Sequence, residues 1–225
     1  MEINANFKQR VVLHTADMEW VNSPMPGVQR RMLDRIGDEV ARATSIVKYD
    51  PGSHFSPHVH AGGEEFLVLE GVFSDERGDF PAGSYIRNPP GSSHTPGSLP
   101  GCVIFVKLWQ FDPKDRMHVR LQFEKMAVQP DSQRSDVQVI ELYQDERETV
   151  RVEYWEAGAE VHLPAPEGAE VLVLDGDFTD ADESLSRHSW LRVPMGGELR
   201  AIVGASGAKL WIKTRHLRFV TPPAV

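Results

Sequence analysis

One stretch of this sequence occurs twice, and that constrains the fold more than any other feature. Glu65-Phe66-Leu67-Val68-Leu69-Glu70-Gly71-Val72-Phe73-Ser74-Asp75 matches Glu170-Val171-Leu172-Val173-Leu174-Asp175-Gly176-Asp177-Phe178-Thr179-Asp180 in order and in chemistry. Upstream, Tyr49-Asp50-Pro51-Gly52 corresponds to Trp155-Glu156-Ala157-Gly158; downstream, Pro89-Pro90-Gly91 corresponds to Pro194-Met195-Gly196. The repeat implies two copies of one folding unit in tandem. A chain of 225 residues accommodates two such units at roughly 100 residues each. The polar, aperiodic stretch Met126-Ala127-Val128-Gln129-Pro130-Asp131-Ser132-Gln133 sets the boundary near residue 126. Residues 26–126 then form the first unit and 127–225 the second, and residues 1–25 form an arm expected to pair with one of them.

Glycine and proline, 18 and 16 residues, cut the sequence at short intervals into apolar runs of strand length, the pattern of an all-β sandwich or barrel. The strands expected are 39–49, 64–70, 103–109, 117–123, 150–155, 170–174 and 210–213. In Met117-His118-Val119-Arg120-Leu121-Gln122-Phe123 the odd positions are apolar and the even ones polar, the period of two of a half-buried strand. Residues 30–41 have some helical potential, but Gly37-Asp38 in their middle predicts two strands joined by a turn.

Thirty-three acidic residues against 24 Lys and Arg give a net charge of −9, the wrong sign for a protein that neutralises phosphates, so nucleic acid is not an expected partner. The single cysteine, Cys102, cannot pair within the chain and fits a reducing, cytoplasmic setting. It is expected in the core. The N-terminus has no signal-peptide pattern and no run reaches the ~20 apolar residues of a membrane span, so a soluble protein without a membrane partner is expected.

Four of the nine histidines, His54, His58, His60 and His94, lie in the first copy. His58 and His60 are separated by one residue, so an extended chain points both to one face, and Gly62-Gly63 allow a turn that returns Glu64 to it. Three imidazoles and a carboxylate suit zinc, iron, manganese, nickel or copper. Gly52, His58, His60, Glu64 and Gly71 reproduce the first cupin motif, and Gly83, Pro89, Gly91 and His94 the second. The chain thus resembles a tandem bicupin, two double-stranded β-helical (jelly-roll) barrels. The resemblance implies His58, His60, Glu64 and His94 as ligands of one divalent metal ion per chain, zinc first, with iron or manganese as alternatives. Glu64, not Glu65, keeps the family interval to Gly71. Ser98 stands where the second motif usually ends in Asn, and His54 reads as a surface or outer residue.

The wording Leu69-Glu70-Gly71-Val72-Phe73-Ser74-Asp75-Glu76 and Tyr85-Ile86-Arg87-Asn88-Pro89-Pro90-Gly91-Ser92-Ser93-His94-Thr95-Pro96 is similar to ChrR-type cupins, in which the barrel forms half of an anti-sigma factor. The resemblance implies a regulatory or sensory protein, with a small molecule or oxidant at the metal and a protein partner. The Cys-containing sigma-binding zinc domain of such regulators has no counterpart here. Related cupins that cleave diketones imply the alternative, a metal-dependent dioxygenase. In the second copy the ligand positions fall on Pro164, Pro166, Ala169 and Leu199, which cannot ligate; His162 and Glu170 are the nearest candidates for a rearranged site. Tyr85, Arg87 and Trp109 are candidates to face the metal and orient an anionic or carbonyl ligand. The other tryptophans read as core or interface anchors, and His14, His118, His188 and His216 as solvated. Two fused barrels mimic a cupin dimer and leave a homodimer open.

Overall fold

The structure, a computed structural model, describes residues 1–38 and 40–223. Among the described residues there is no α-helix, only strands and three short 3-10 turns. Among the described residues no helix is long and apolar enough to cross a membrane. The chain divides into two compact units.

The first unit comprises Met1–Ala5, Glu19–Glu124 and the last described residues from Thr221. Its antiparallel sheet runs Val28–Gly37, Ala41–Tyr49, Cys102–Leu108, Glu64–Asp75, Ser84–Asn88, Val119–Gln122. Glu39, where the second of these strands was expected to start, lies outside the described residues. Short ladders, His58–Val59 with Ser93–His94 and Ser53–His54 with Gly97–Ser98, stand outside this path. Alternation sorts the side chains. Tyr49, Phe66, Val68, Ile86, Cys102, Ile104 and Val106 form the core on one face. Glu65, Arg87 and Lys107, each at most 2 % exposed, project from the other face of the same strands. Burial pushes the Cys102 thiol up to about 11. The strand expected at 117–123 is shorter, Val119–Gln122, because the Asp115 carboxylate accepts the Met117 N–H at 2.7 Å and closes a turn just before it.

The second unit comprises Asn6–Met18 and Lys125–Val220. Its sheet runs Val137–Gln144, Thr149–Trp155, Gly197–Thr214, Ala169–Asp180, Ser189–Val193, Val11–His14. Strand by strand this repeats the first order, but the last place is filled from the N-terminal arm. The arm, expected to pair with one barrel, is therefore divided: Glu2–Ile3 pairs within the first unit and Val11–His14 within the second. Val11-Val12-Leu13 is the arm's apolar run, and it covers a strand edge that would otherwise be left unpaired.

The repeat extends to single atoms. Gly71 and Gly176 have φ of 71° and 70°, and a Cβ on them would stand 2.0 Å from the Gly101 carbonyl oxygen and 1.9 Å from that of Gly207. Only glycine fits such a place. Trp155, Trp190 and Trp211 are buried, as anchors should be, and Trp20 lies beneath the Arg31 guanidinium. His216 departs from expectation. It is buried, with Nε2 3.0 Å from Glu170 Oε1, because a second carboxylate of the repeat is buried there and needs a partner.

Candidate metal centre

The four residues that the family resemblance implies as ligands converge in the first barrel. The ladder that pairs His94 with His58 is tied down by the His60 N–H donating to the Ser92 carbonyl at 2.8 Å and the Gly91 N–H donating to the His60 carbonyl at 2.9 Å. Gly62 turns the chain into the strand that begins at Glu64; a Cβ on it would lie 2.1 Å from the Trp109 ring, which packs flat on that turn. The His60 Nε2 lies 3.2 Å from His58 Nε2 and 3.1 Å from His94 Nε2. Glu64 Oε2 lies 3.4 Å from both His60 Nε2 and His94 Nε2. Donor atoms about 2.1 Å from one ion stand roughly 3.0 Å apart at right angles and roughly 3.4 Å apart at tetrahedral angles, so these spacings fit a shared cation. The four residues could hold a metal ion.

Hydrogen bonds on the far side of each ring decide which nitrogen is free. His58 Nδ1 is 3.0 Å from the Ser56 carbonyl oxygen, which can only accept. His94 Nδ1 is 3.4 Å from Asp75 Oδ2, also an acceptor. His60 Nδ1 is 3.1 Å from the Ser92 hydroxyl, whose own proton goes to the Pro89 carbonyl at 2.6 Å, so that oxygen accepts from the ring. All three protons therefore sit on Nδ1, and three Nε2 lone pairs face one another and a carboxylate. Burial lowers the His60 imidazole to about 4, leaving it neutral at physiological pH. Lone pairs crowded in this way repel, and a cation between them reverses the sign. Asn88 donates to Glu64 Oε2 at 3.2 Å and fixes the carboxylate. Burial alone would raise the Asp75 carboxyl, but hydrogen bonds from His94 and from the Arg77 backbone hold it below the usual range.

A cavity of about 320 Å³ adjoins the cluster. His58, His60 and Glu64 form part of its wall; Val47, Ile104, Val106 and Trp109 make much of the rest apolar. Tyr49 and Arg35 are its other polar members, and burial together with the Glu64 charge pushes the Tyr49 phenol well above its ordinary range. Of the three residues expected beside the metal, Trp109 lines the cavity and the other two do not. Tyr85 donates to Glu65 Oε1 at 2.6 Å, and Arg87 donates to Asp115 Oδ2 at 2.8 Å and stacks on Phe111. Arg87 is registered opposite Glu65, one residue out of phase with Glu64, so strand alternation turns it to the opposite face. His54 is exposed and outside the cluster. Ser98 is buried and donates to the Val72 carbonyl at 2.6 Å, which anchors its strand.

The second barrel has no comparable group among the described residues. Strand pairing sets Leu163 opposite Leu199, as His58 is set opposite His94. The ligand positions are thus filled by Leu163, Ala165, Ala169 and Leu199. Pro164 and Pro166, expected in the first two of these places, are each one residue off because the first copy has one more residue between His54 and His58 than the second has between Glu160 and Leu163. Leu199, Ala165 and Ala169 lie in the apolar core. His162 is exposed and 2.9 Å from Glu198, whereas Glu170 is buried against His216, so these two do not meet. Sequence reading missed Asp75, Ser92 and Asn88, and also Arg35 and Tyr49. Asp75 was within the repeated stretch, and only pairing across strands gives the others a role.

A family model described as the ChrR Cupin-like domain matches residues 8–112. No curated protein matches the sequence. Among solved structures, one from Nostoc punctiforme described as a "putative dioxygenase" superposes with TM-score 0.77 at 16 % identity, over 97 % of this chain and 87 % of that one. The bacterial pirin YhhW of Escherichia coli in complex with nickel(II) gives TM-score 0.67 at 13 % identity, over 92 % and 98 %. Vicilin from hazelnut, Corylus avellana, gives 0.63 at 11 %, over 96 % and 88 %. At such identities the likeness concerns the fold alone, and it extends over both units. Residues 8–112 thus match the ChrR cupin-like domain family model, within a chain whose two barrels share the cupin fold.

Proposed function

We propose that the first barrel is a mononuclear metal-dependent enzyme of the oxygenase class, acting on a small organic molecule held in its cavity. One observation carries the reading: three Nε2 lone pairs and one carboxylate oxygen meet at a point in the wall of an apolar cavity of about 320 Å³. A structural metal site is closed, whereas a site that handles substrate keeps a position open to it. The cavity is at the small end of the volumes that bind small molecules. His58, His60, Glu64 and His94 would hold the ion, which supplies Lewis acidity and, if iron or manganese, one-electron chemistry. The protein's own part is to fix the three imidazoles through their Nδ1 protons, and to exclude water with Val47, Ile104, Val106 and Trp109. The similarity in fold to a protein described as a "putative dioxygenase" is consistent with this reading. The test is oxygen uptake by iron-loaded full-length protein over a panel of diketones and related chelators. Uptake abolished by His60→Ala is expected; no uptake over the panel would remove the oxygenase assignment.

A second reading, a sensor that passes a change at the metal to a protein partner, is favoured by the ChrR cupin-like family of the first barrel. It requires a conformational change that ligand or oxidant biases. A shift in hydrogen-exchange protection beyond the cavity on metal removal would support it, and unchanged protection would count against it.

A further inference from the structure

We infer that Arg35 is an anion anchor of the cavity, and that the molecule bound there is a small organic monocarboxylate with an apolar body. The inference rests on the proposal that this cavity is the substrate site and names the class of molecule it takes. Arg35 is 8 % exposed and lines the cavity. Its Nε donates to the Gly37 carbonyl at 3.1 Å and one terminal nitrogen donates to the Asp38 carbonyl, so two backbone acceptors aim the guanidinium. Neither acceptor carries charge. Among the described residues no carboxylate oxygen lies within 4.0 Å of Arg35, and the Asp38 carboxylate pairs instead with the N-terminal amine. A guanidinium stays protonated even when buried; among the described residues the opposite charge that acts on it is that of exposed Asp38, beyond ion-pair distance, so Arg35 is left to face the cavity.

Register places that charge relative to the metal ligands. Arg35 pairs with Ala43, Ala43 with Leu108, and Leu108 with Glu64, a single row across four strands. Residues directly opposite in an antiparallel sheet project to the same face, so Arg35 and Glu64 both point inward from positions three strand spacings apart, roughly 14 Å along the curved sheet. Between them the wall is aliphatic, with Ala41, Val47, Val106 and Leu108. One cation at one pole balances one negative charge, and the apolar middle selects against a hydrated dianion such as free phosphate. A carboxylate accepts two N–H donors side by side from such a fork. The far end of the molecule is then directed to the histidine and glutamate cluster.

The probe is hexanoate against its neutral isostere hexanamide, titrated calorimetrically into full-length protein in metal-stripped and metal-loaded form. Arg35→Met and Arg35→Gln are measured beside the wild type; the Gln side chain keeps a donor for the Gly37 carbonyl should the Met variant lose its fold by circular dichroism. Hexanoate is expected to bind the stripped wild type better than hexanamide, and roughly ten- to a hundredfold more weakly to either folded variant, with hexanamide unaffected. Equal binding of the two probes, unchanged hexanoate binding in the variants, or hexanoate binding that needs the metal but not Arg35 would each overturn the assignment. Failure of the metal-site reading shows separately, as no metal taken up by the wild type, and leaves the stripped-protein comparison intact.

Discussion

Three hydrogen bonds decide what the histidines can do. An imidazole whose Nδ1 proton is engaged presents Nε2 as a lone pair, and Ser56, Ser92 and Asp75 engage all three. Removing such an outer partner lets the ring rotate or change tautomer, which typically weakens a metal site about 10- to 100-fold. Asp75→Ala and Ser92→Ala are each expected to weaken metal binding by that order in competition with a chromogenic chelator, and unchanged affinity would contradict the tautomer argument. Cys102 gives a pH prediction. Its thiol is raised to about 11 in the fold, so the native state keeps a proton that the unfolded chain loses from about pH 9 upward. That stabilisation is full below pH 9 and is lost as pH climbs towards 11, amounting to about 2–3 kcal/mol. In urea titrations Cys102→Ala should flatten the alkaline fall in stability; a fall of equal size in the variant would assign it to other groups. The four ligand candidates were legible because cupin spacing is rigid in sequence. Arg35 and Tyr49 were not, since they reach the cavity through strand register, which spacing alone does not encode.

Along each strand, alternation does most of the sorting and glycine marks the exceptions. Gly71 and Gly176 sit at the same bend in both copies, each against a backbone carbonyl that cannot give way. Gly176→Ala combines a left-handed backbone with that clash and should cost at least about 2 kcal/mol, read as a lower urea midpoint at unchanged slope. A shift within error would mean that the bend relaxes. Strand positions were readable from period-two patterns, as in Val119–Gln122, but lengths were not: the repeated segments run on to Asp75 and Asp180 rather than stopping at 70 and 174. Those extensions pass through glycine and polar residues, where the pattern lapses while the ladders with residues 78–81 and 183–186 continue. Arg87 shows the same limit. Its neighbours in sequence belong to the second motif, yet one residue of phase turns it from the cavity to Glu65 and Asp115.

At the scale of the chain, one fold has been used twice with different interiors. Where the first barrel has His58, His60, Glu64 and His94, the second has Leu163, Ala165, Ala169 and Leu199, so polar convergence is replaced by core packing. Leu199 is fully buried, and Leu199→Ala should destabilise the protein by about 2–5 kcal/mol in chemical denaturation while leaving its metal content unchanged. Loss of metal in that variant would show that the second interior supports the first. The duplication was plain in the sequence, but the division of the arm between the units was not, because a short apolar run such as Val11-Val12-Leu13 fits either sheet edge. The central claim, one metal ion held by four residues of the first barrel, is tested most directly by elemental analysis of the purified full-length protein beside a His60→Ala/His94→Ala variant. The account predicts one divalent ion per chain in the wild type and none in the folded variant. No metal in the wild type after reconstitution, or the same content in both proteins, would contradict it.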